Sequence, residues 1–379
     1  MVTGIICEYN PFHLGHKKQI DTIRAAHPEG GIVCLMSGNF VQRGAPAIVD
    51  KMTRARAAVL SGADLVLELP VTTALSSAEG FAAGGVSVLS GFCDRLCFGA
   101  ENADGRALMS VAETLLCPEF SIHLKAQLET GLSFPAARQA ALEQMGLNGS
   151  LLAKPNNILA VEYCKAILTT GCAMEPMPIF RGGSYHDTAA DAENPSATAL
   201  RTMVEAGEDW ERFVPPAAAE CFRGAAVHRL CYGEMAILYR LRTMTDEEFE
   251  ALPFGSEGLW RKLMHAARKE ATLEDVIAST KSKRYTRTRL DRMVMCAFLG
   301  ITEQMLYSSA PYVRVLGFNH RGREILKAAR QVGDFPNMGE SLDNPYQLLE
   351  TRCGDLYGLF AHTPESPGAE RNYRVFCQR

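Results

Sequence analysis

Two histidines, His13 and His16, flank a leucine and a glycine directly after a short apolar run and a turn. The run at residues 4–7 predicts a buried strand, and the residues that follow the turn predict a helix. The first amide groups of a helix lack partners inside it, and together with the helix dipole they favour a bound phosphate. Gly15 lets a phosphate approach closely, and two imidazoles beside it can donate hydrogen bonds to the charge that develops as pyrophosphate leaves. The spacing therefore predicts a nucleotide site with catalytic histidines, the alternative being that they only cap and pack the turn.

The elements that must hold this site alternate between short apolar runs and amphipathic segments through the first half of the chain. That alternation is typical of βα units with a mostly parallel sheet. Strands are predicted at residues 4–7, 31–36, 64–68, 95–98 and 177–180, and helices at residues 15–26, 51–61 and 78–89. We therefore predict an α/β fold, a Rossmann-like doubly wound parallel sheet whose ligands bind at the carboxyl ends of the strands.

The alternation is lost from about residue 204 onward. Helices are predicted at residues 217–241, 246–252, 257–267 and 273–279, and residues 312–316 form the only strand-like run of this half. We therefore place a domain boundary near residue 205. It separates a catalytic domain at residues 1–205 from a mainly helical C-terminal domain at residues 206–379.

Composition excludes several classes of protein. The 379 residues carry a formal net charge of −4, so any RNA contact requires a local basic patch. The twelve cysteines show no C-x2-C pair and no zinc-finger spacing, which predicts small buried side chains in a reducing cytoplasm and no metal site. The N-terminus lacks a basic leader, and no run approaches the roughly 18 apolar residues of a membrane span. We expect a cytoplasmic protein without a membrane partner.

Several strings resemble one protein family. The longest is Gly4-Ile-Ile-Cys-Glu-Tyr-Asn-Pro-Phe-His-Leu-Gly-His16. Others are at residues 36–44, 62–70, 98–101, 154–159, 185–187, 283–289 and 314–318. They are similar to the HIGH-type nucleotidylyltransferase superfamily and, within it, to the bacterial tRNA-methionine cytidine acetate ligases. The resemblance extends over nearly the whole chain.

This resemblance implies an enzyme that activates acetate with ATP to acetyl-adenylate and pyrophosphate. The acetyl group then passes to N4 of the wobble cytidine of elongator tRNA-Met, with release of AMP. The family pattern implies an ATP-binding domain at residues 1–205 and a tRNA-binding domain at residues 206–379. It assigns ATP contacts to the residues that match the motifs, namely Ile6, Cys7, Glu8, Tyr9, Asn10, Pro11, Phe12, His13, Leu14, Gly15, His16, Lys17, Lys18, Gln19, Gly99, Asn156 and Arg181.

The residues themselves support three of these ATP contacts. Gly99 ends a predicted strand, where a position without a side chain lets adenosine lie against the backbone. Asn156 and Asn157 follow a proline, so one is expected to cap a helix while the other meets a base or ribose. Arg181 follows the fifth strand and can pair with the triphosphate as a bidentate donor.

A second phosphate-binding segment opens a predicted helix further along the chain. Ser196, Thr198 and Arg201 partly match the S-[ST]-T-x-[IV]-R motif that superfamily members carry opposite their histidines. We expect them to complete the pyrophosphate cradle, the alternative being a capped surface helix.

The acetate pocket is predicted beside the second strand. Ser37, Gln42 and Arg43 follow that strand and face the same crevice. Lys51 is a further candidate, because its ammonium is a compact charge for acetate or phosphate. Solvated loop residues are the alternative for all four.

A basic run distinguishes the second half of this acidic chain. Six cations fall within twelve residues: Lys281, Lys283, Arg284, Arg287, Arg289 and Arg292. Such a run can neutralise several phosphates, and Tyr285 within it can stack on an unpaired base. We therefore expect the tRNA to bind here, the alternative being a solvated face.

Two other functions compete with the ligase hypothesis. A small-molecule nucleotidylyltransferase would use the same histidines but would need neither the helical half nor the basic run. A non-enzymatic RNA-binding protein would carry a vestigial nucleotide site. We also expect Mg²⁺ with ATP, because a triphosphate needs charge neutralisation beyond the histidines, although the sequence shows no dedicated metal cage.

Overall fold

The computed structural model describes residues 1–181, 196–282, 284–306, 312–329 and 345–378. The strands within these ranges are β1 (Val2–Cys7), β2 (Gly31–Ser37), β3 (Phe40–Val41), β4 (Ala45–Pro46), β5 (Leu65–Leu69), β6 (Arg95–Ala100), β7 (Glu175–Phe180), β8 (Val315–Phe318) and β9 (Phe376–Cys377). Each of the five predicted strands of the first half is present.

The helices before residue 205 surround these strands. They are α1 (Leu14–Ala26), α2 (Lys51–Leu60), α3 (Val71–Ala74), α4 (Ala78–Leu89), α5 (Gly105–Leu116), α6 (Pro118–Glu129), α7 (Phe134–Gln144), α8 (Pro155–Thr170) and α9 (Ala197–Ala206). The later helices are α10 (Pro216–Phe222), α11 (Glu234–Thr243), α12 (Asp246–Glu250), α13 (Leu259–Lys269), α14 (Leu273–Thr280), α15 (Arg287–Leu299), α16 (Glu303–Leu306), α17 (His320–Ala329), α18 (Pro345–Tyr357) and α19 (Ala369–Asn372).

The main sheet has seven strands in the order β7-β6-β1-β2-β5-β8-β9. The first five of these are parallel to their neighbours, with Ile5 of β1 opposite Cys34 of β2. Strands β2 and β5 are buried along their whole length, as apolar runs covered on both faces must be. The chain leaves β1 towards β2 on one side and later returns to β6 on the other, which is the doubly wound arrangement predicted. Ligands are therefore expected at the carboxyl ends of β1 and β6, where the strand order reverses.

Two strands from the second half complete this sheet. Strand β8 pairs antiparallel with β5, and β9 pairs parallel with β8. The strand-like run predicted at residues 312–316 is thus observed at Val315–Phe318, but inside the sheet of the first half. The predicted boundary near residue 205 therefore does not enclose the sheet, because the edge of β5 is hydrogen-bonded to chain from beyond it.

A buried ion cluster holds these late strands against the early ones. Glu68 on β5 accepts from Lys51 Nζ at 2.7 Å and from Arg314 Nε at 2.7 Å. Glu370 contacts the same two cations, at 2.5 Å and 2.9 Å. Glu350 lies 3.8 Å from Arg314 and accepts from the amide of Val71 at 2.6 Å. The five charged side chains of this cluster each have less than a tenth of their surface exposed.

Three further features of the described residues concern their cysteines, their apolar helices and their metal-ligating side chains. The cysteines are free, and most of them are buried. None of the described helices combines the length and apolar character needed to cross a bilayer. No group of three or more His, Cys, Asp or Glu side chains in these residues could hold a metal ion.

Candidate active site

The two histidines form the start of α1 together. His13 is the N-cap residue, and its Nδ1 accepts the amide of Gly15 at 3.1 Å. His16 reaches back so that its Nδ1 accepts the amide of His13 at 3.3 Å. A ring nitrogen that accepts a hydrogen bond carries no proton, so each neutral imidazole must carry its proton on Nε2. Both rings are therefore fixed as Nε2–H donors.

The surroundings keep both rings neutral. Burial, with Arg181 and Arg201 nearby, lowers the pKa of His13 to about 3. Burial, with His13 and Arg181 nearby, lowers the pKa of His16 well below its ordinary value. The rings stack with centroids 3.7 Å apart. His13 Nε2 is buried and finds no hydrogen-bond partner in the described part of the chain, so it is a donor in need of an acceptor.

This low pKa of His13 predicts a pH dependence of stability. The unfolded chain protonates His13 near 6.5, whereas the folded protein keeps it neutral down to about 3. The unfolded state therefore binds the extra proton in this range, and stability falls on acidification by about 1.4 kcal/mol per pH unit. Between about pH 6.5 and 5, the wild type should lose roughly 2 kcal/mol more than a His13→Asn variant, measured by urea unfolding. Equal losses of unfolding free energy in the two proteins would contradict the low pKa of His13 in the folded state.

The segment at residues 6–19 divides between the cleft and the core behind it. The cleft is lined by Ile6, Cys7, Glu8, Tyr9, Asn10, His16 and Gln19. Pro11, Phe12 and His13 are buried below it. Lys17 pairs with Asp21 on the outer side of α1, and Lys18 is exposed. Leu14 and Gly15 form the first turn of α1, half-buried.

The opposite wall brings together the other predicted ATP and phosphate contacts. Gly99, Asn156, Arg181, Ser196, Thr198 and Arg201 all line the same cleft. Arg201 Nη1 donates to the carbonyl oxygen of Asn10 at 2.8 Å, which connects α9 to the histidine turn. Ser196 caps α9 by accepting the amide of Ala199 at 3.0 Å. Cationic groups and a helix start thus face the imidazole donors, as a polyphosphate site requires.

The two adjacent asparagines have separate roles. Asn157 is buried, and its Oδ1 accepts the amide of Asn102 at 2.9 Å. Asn156 lines the cleft. Asn156 therefore stays the predicted nucleotide contact, whereas Asn157 stabilises the loop after β6.

Sequence analysis missed the apolar floor of the cleft. Four side chains form it: Phe81, Phe98, Leu159 and Tyr163. Phe98 and Tyr163 pack with ring centroids 5.4 Å apart. The spacing of Asn156, Leu159 and Tyr163 places them on one face of α8, and that periodicity was the available signal. Such a surface suits a planar base or an acyl group.

The candidates for the acetate pocket separate into two pairs. Gln42 and Arg43 line the cleft. Lys51 is 1% exposed and lies in the buried ion cluster, so it does not face the cleft as predicted. Ser37 is fully buried at the end of β2 and does not line the cleft either. The error arose because the carboxylate partners of Lys51 lie far away in sequence, on β5 and α19.

A buried arginine on α2, Arg54, contacts several backbone carbonyl oxygens. It is fully buried, and its guanidinium donates to the carbonyl oxygens of Val49 at 2.8 Å and Glu8 at 2.6 Å. It also donates to the carbonyls of Ser37 and Gly38. A single cation therefore joins the loops that follow β1 and β2. No pattern in the sequence indicates this role, because carbonyl oxygens are present at every position.

The basic run presents only part of its charge to solvent. Lys281 and Arg284 are exposed, although Arg284 pairs with Glu257 at 2.6 Å. Arg287 pairs with Glu274 at 2.7 Å, and Arg289 donates to the carbonyl of Phe254. Lys283 lies outside the described residues. Lys262 on α13, which the sequence did not single out, donates to the carbonyl of Lys281 at 3.2 Å. We call Lys262, Lys281 and Arg284 the basic patch.

The hairpin formed by β3 and β4 lies between the cleft and α15, the helix that carries the later residues of the basic run. Gly44 lies at its turn with φ +76°, and a Cβ there would fall 2.3 Å from the carbonyl carbon of Asp291 on α15. Arg292 Nη1 donates to the carbonyl of Gln42 at 3.5 Å. Helix α15 therefore packs directly on the rim of the cleft.

A doubly wound sheet with paired imidazole donors at its reversal point defines a nucleotidyl transferase of the HIGH type. Residues 1–368 match the family model described as HIGH Nucleotidyl Transferase. The chain is 36% identical to tRNA(Met) cytidine acetate ligase of Clostridium acetobutylicum, over 88% of this chain and 89% of that protein. It is 38% identical to the Clostridium novyi protein of the same name, over 96% and 94%. The chain therefore belongs to the tRNA(Met) cytidine acetate ligase family.

Solved structures agree with this family. Thermotoga maritima TmcAL in its apo form matches with a TM-score of 0.91 at 30% identity, over 100% of this chain and 99% of that one. The same protein bound with alpha-thio ATP matches with a TM-score of 0.87 at 29% identity, over 100% and 99%. The similarity includes the helical second half as well as the sheet.

Proposed function

We propose that this protein activates acetate with ATP and transfers the acetyl group to N4 of the wobble cytidine of elongator tRNA-Met. The observation that carries the proposal is the pair of neutral, Nε2-protonated histidines. His16 lines the cleft together with Arg181 and Arg201, and His13 is stacked on His16 just below it. The names of the relatives supply the acid and the RNA. Since the proposed substrate is a tRNA and takes part in translation in the cytoplasm, we place the protein there.

In the first step, a carboxylate oxygen of acetate attacks the α-phosphorus of ATP. The bond from that phosphorus to the bridging oxygen breaks, and pyrophosphate leaves with the electron pair. His13 and His16 donate hydrogen bonds to the oxygens on which negative charge grows, and the low pKa of each ring keeps it a hydrogen-bond donor without making it an acid. Arg181 and Arg201 face the departing pyrophosphate.

In the second step, the N4 amine of cytidine attacks the carbonyl carbon of acetyl-adenylate. The bond from that carbon to the phosphate oxygen breaks, AMP leaves, and the amine loses a proton. Adenylation is needed because the exocyclic amine is a weak nucleophile and acetate alone has a poor leaving group. We assign acetate to the side of the cleft at Gln42 and Arg43, which the hairpin places next to α15.

Magnesium would enter with the nucleotide. Since the described residues contain no carboxylate or histidine cluster for a metal ion, the triphosphate itself would supply most of the ligands. The ion would neutralise phosphate charge there. The protein's own residues then contribute the imidazole and guanidinium donors.

The RNA is proposed to contact the basic patch. The exposed cations of this patch lie near the start of α15. Further along the same helix, Arg292 contacts the rim of the cleft at Gln42. The rim contact at Arg292 lies about 7–8 Å along the axis from Arg287 at the start of α15, so phosphates can bind at the start of the helix while a base approaches the cleft. Arg287 and Arg289 would mainly fix the helix through their internal partners.

Purified protein with ATP, acetate and tRNA-Met should release AMP and acetylate the wobble cytidine. Acetate should also support exchange of pyrophosphate into ATP without RNA. A Lys281→Glu, Arg284→Glu variant should raise KM for tRNA at least tenfold and reduce the salt dependence of RNA binding, because each lost phosphate contact removes about one unit of that slope. Its acetate-dependent exchange should stay at the wild-type rate.

Each competing function has its own outcome in this experiment. Exchange that requires a phosphorylated metabolite in place of acetate would favour a small-molecule nucleotidylyltransferase. RNA binding without any exchange would favour a binding protein with a vestigial site. Folded protein that shows neither exchange nor acetylation with all three substrates present would refute the ligase.

A further inference from the structure

The loop after β6 is joined to the first turn of α8 by one carboxylate. Glu101 Oε1 accepts from the backbone amide of Asn156 at 3.3 Å and from its side-chain Nδ2 at 2.8 Å. Glu101 Oε2 accepts from the backbone amide of Asn157 at 2.8 Å. In return, Asn157 Oδ1 accepts from the amide of Asn102. The carboxylate therefore supplies the cap that the N-cap residue of α8, Lys154, does not provide.

The side-chain bond from Asn156 has a consequence that the two backbone bonds lack. An ionised carboxylate can only accept hydrogen bonds, so the NH2 end of the Asn156 amide must face Glu101. The opposite end of the amide is its carbonyl oxygen. Asn156 lines the nucleotide cleft with 8% of its surface exposed. Its Oδ1 is therefore fixed as an acceptor available to the cleft.

We infer that Glu101 is a positioning residue that holds Asn156 as an obligatory hydrogen-bond acceptor for the nucleoside part of the substrate. The inference relies on the proposed function for the nucleotide being ATP. Two groups of ATP have the required chemistry, a ribose hydroxyl and the 6-amino group of adenine. A site built around a fixed acceptor discriminates strongly against an analogue that lacks the donor, because the acceptor is then left without a partner.

Nucleotide affinity measured by calorimetry without acetate or RNA tests this inference. The ligands are ATP, 2′-deoxy-ATP, 3′-deoxy-ATP and purine riboside triphosphate, which lacks the 6-amino group. For the wild type, we expect one analogue to bind at least tenfold more weakly than ATP, and its identity shows which donor Asn156 receives. For Glu101→Gln, that ratio should fall below about threefold, because an amide partner can both donate and accept and no longer holds Asn156 in one orientation.

Two further variants separate positioning from helix capping. Asn156→Leu should also abolish the ratio, since it removes the acceptor and leaves the Glu101 bonds to the backbone amides in place. Asn157→Ala should lower stability and keep the wild-type ratio. A Glu101→Gln protein that loses stability but still discriminates as the wild type does would show that Glu101 is only a cap. A wild type that binds all four ligands equally would overturn the inference as well.

These outcomes are distinguishable from failure of the proposed function. Calorimetry requires no turnover, so the ratio can be measured even when acetate supports no exchange. Absence of ATP binding by folded wild-type protein would refute both the function and this inference. Binding with the expected ratio but without acetate-dependent exchange would leave Glu101 in its role and refute the ligase alone.

Discussion

Replacing His13 with asparagine should lower acetate-dependent pyrophosphate exchange by about 10²–10³-fold, the usual cost of losing one hydrogen-bond donor to a charged transition state. Asparagine is a favoured N-cap residue, so its Oδ1 can take over the bond that His13 Nδ1 accepts from Gly15. The Nε2 donor, which is buried without a partner in the described residues, is lost. Affinity for ATP should change much less than kcat, because the missing bond strengthens as charge develops.

A matched alanine variant separates capping from catalysis. His13→Ala removes both the cap and the donor, so it should show the same loss of exchange together with a loss of stability of roughly 1 kcal/mol. His13→Asn should show the loss of exchange with the cap intact. If exchange by His13→Asn stays within a few-fold of the wild type, His13 only caps α1 and the donor at this site is another group.

Replacing Arg314 with methionine should reduce the free energy of unfolding by roughly 3–5 kcal/mol, the range for removing one partner from a buried ionic network. Arg314 contacts Glu68, Glu370 and Glu350. Without it, Lys51 is the one cation among the described residues of this cluster left to balance three carboxylates. Burial and the charge of Glu68 raise the pKa of Glu350 to about 7. The defect should therefore be smaller at acidic pH, where Glu350 takes up a proton and no longer adds an unbalanced charge.

An exposed ion pair provides the control for this substitution. Arg284→Met breaks the pair with Glu257, whose side chains are 69% and 48% exposed. It should change stability by less than about 1 kcal/mol. Chemical denaturation of the two variants at neutral and acidic pH checks both expectations. Equal, small losses would show that the buried cluster contributes little to holding β8 against β5.

Local patterns in the sequence carried much of the fold and of the site. Short apolar runs and the His13-Leu-Gly-His16 spacing depend on neighbours within a few residues, so the parallel strands and the start of α1 were predictable. The partners of Lys51 and Arg54 were not, because they are distant carboxylates and backbone carbonyls that only the folded chain brings together. For the same reason Val315–Phe318 was recognised as a strand, while its place beside β5 was missed.

The placement of β8 and β9 constrains how this enzyme can be divided or built. Described chain from α10 to α16 leaves the early strands and returns to them, so the helical half is inserted within the sheet's own sequence. A fragment that stops near residue 205 would expose the backbone groups of Leu65–Leu69 and leave Glu68 without Arg314. The chain before residue 205 and the chain after it share one sheet, so the two halves cannot be exchanged as separate modules. Substitutions in either half can therefore alter the stability of the other through the pairing of β5 with β8 and the ion pair of Glu68 with Arg314.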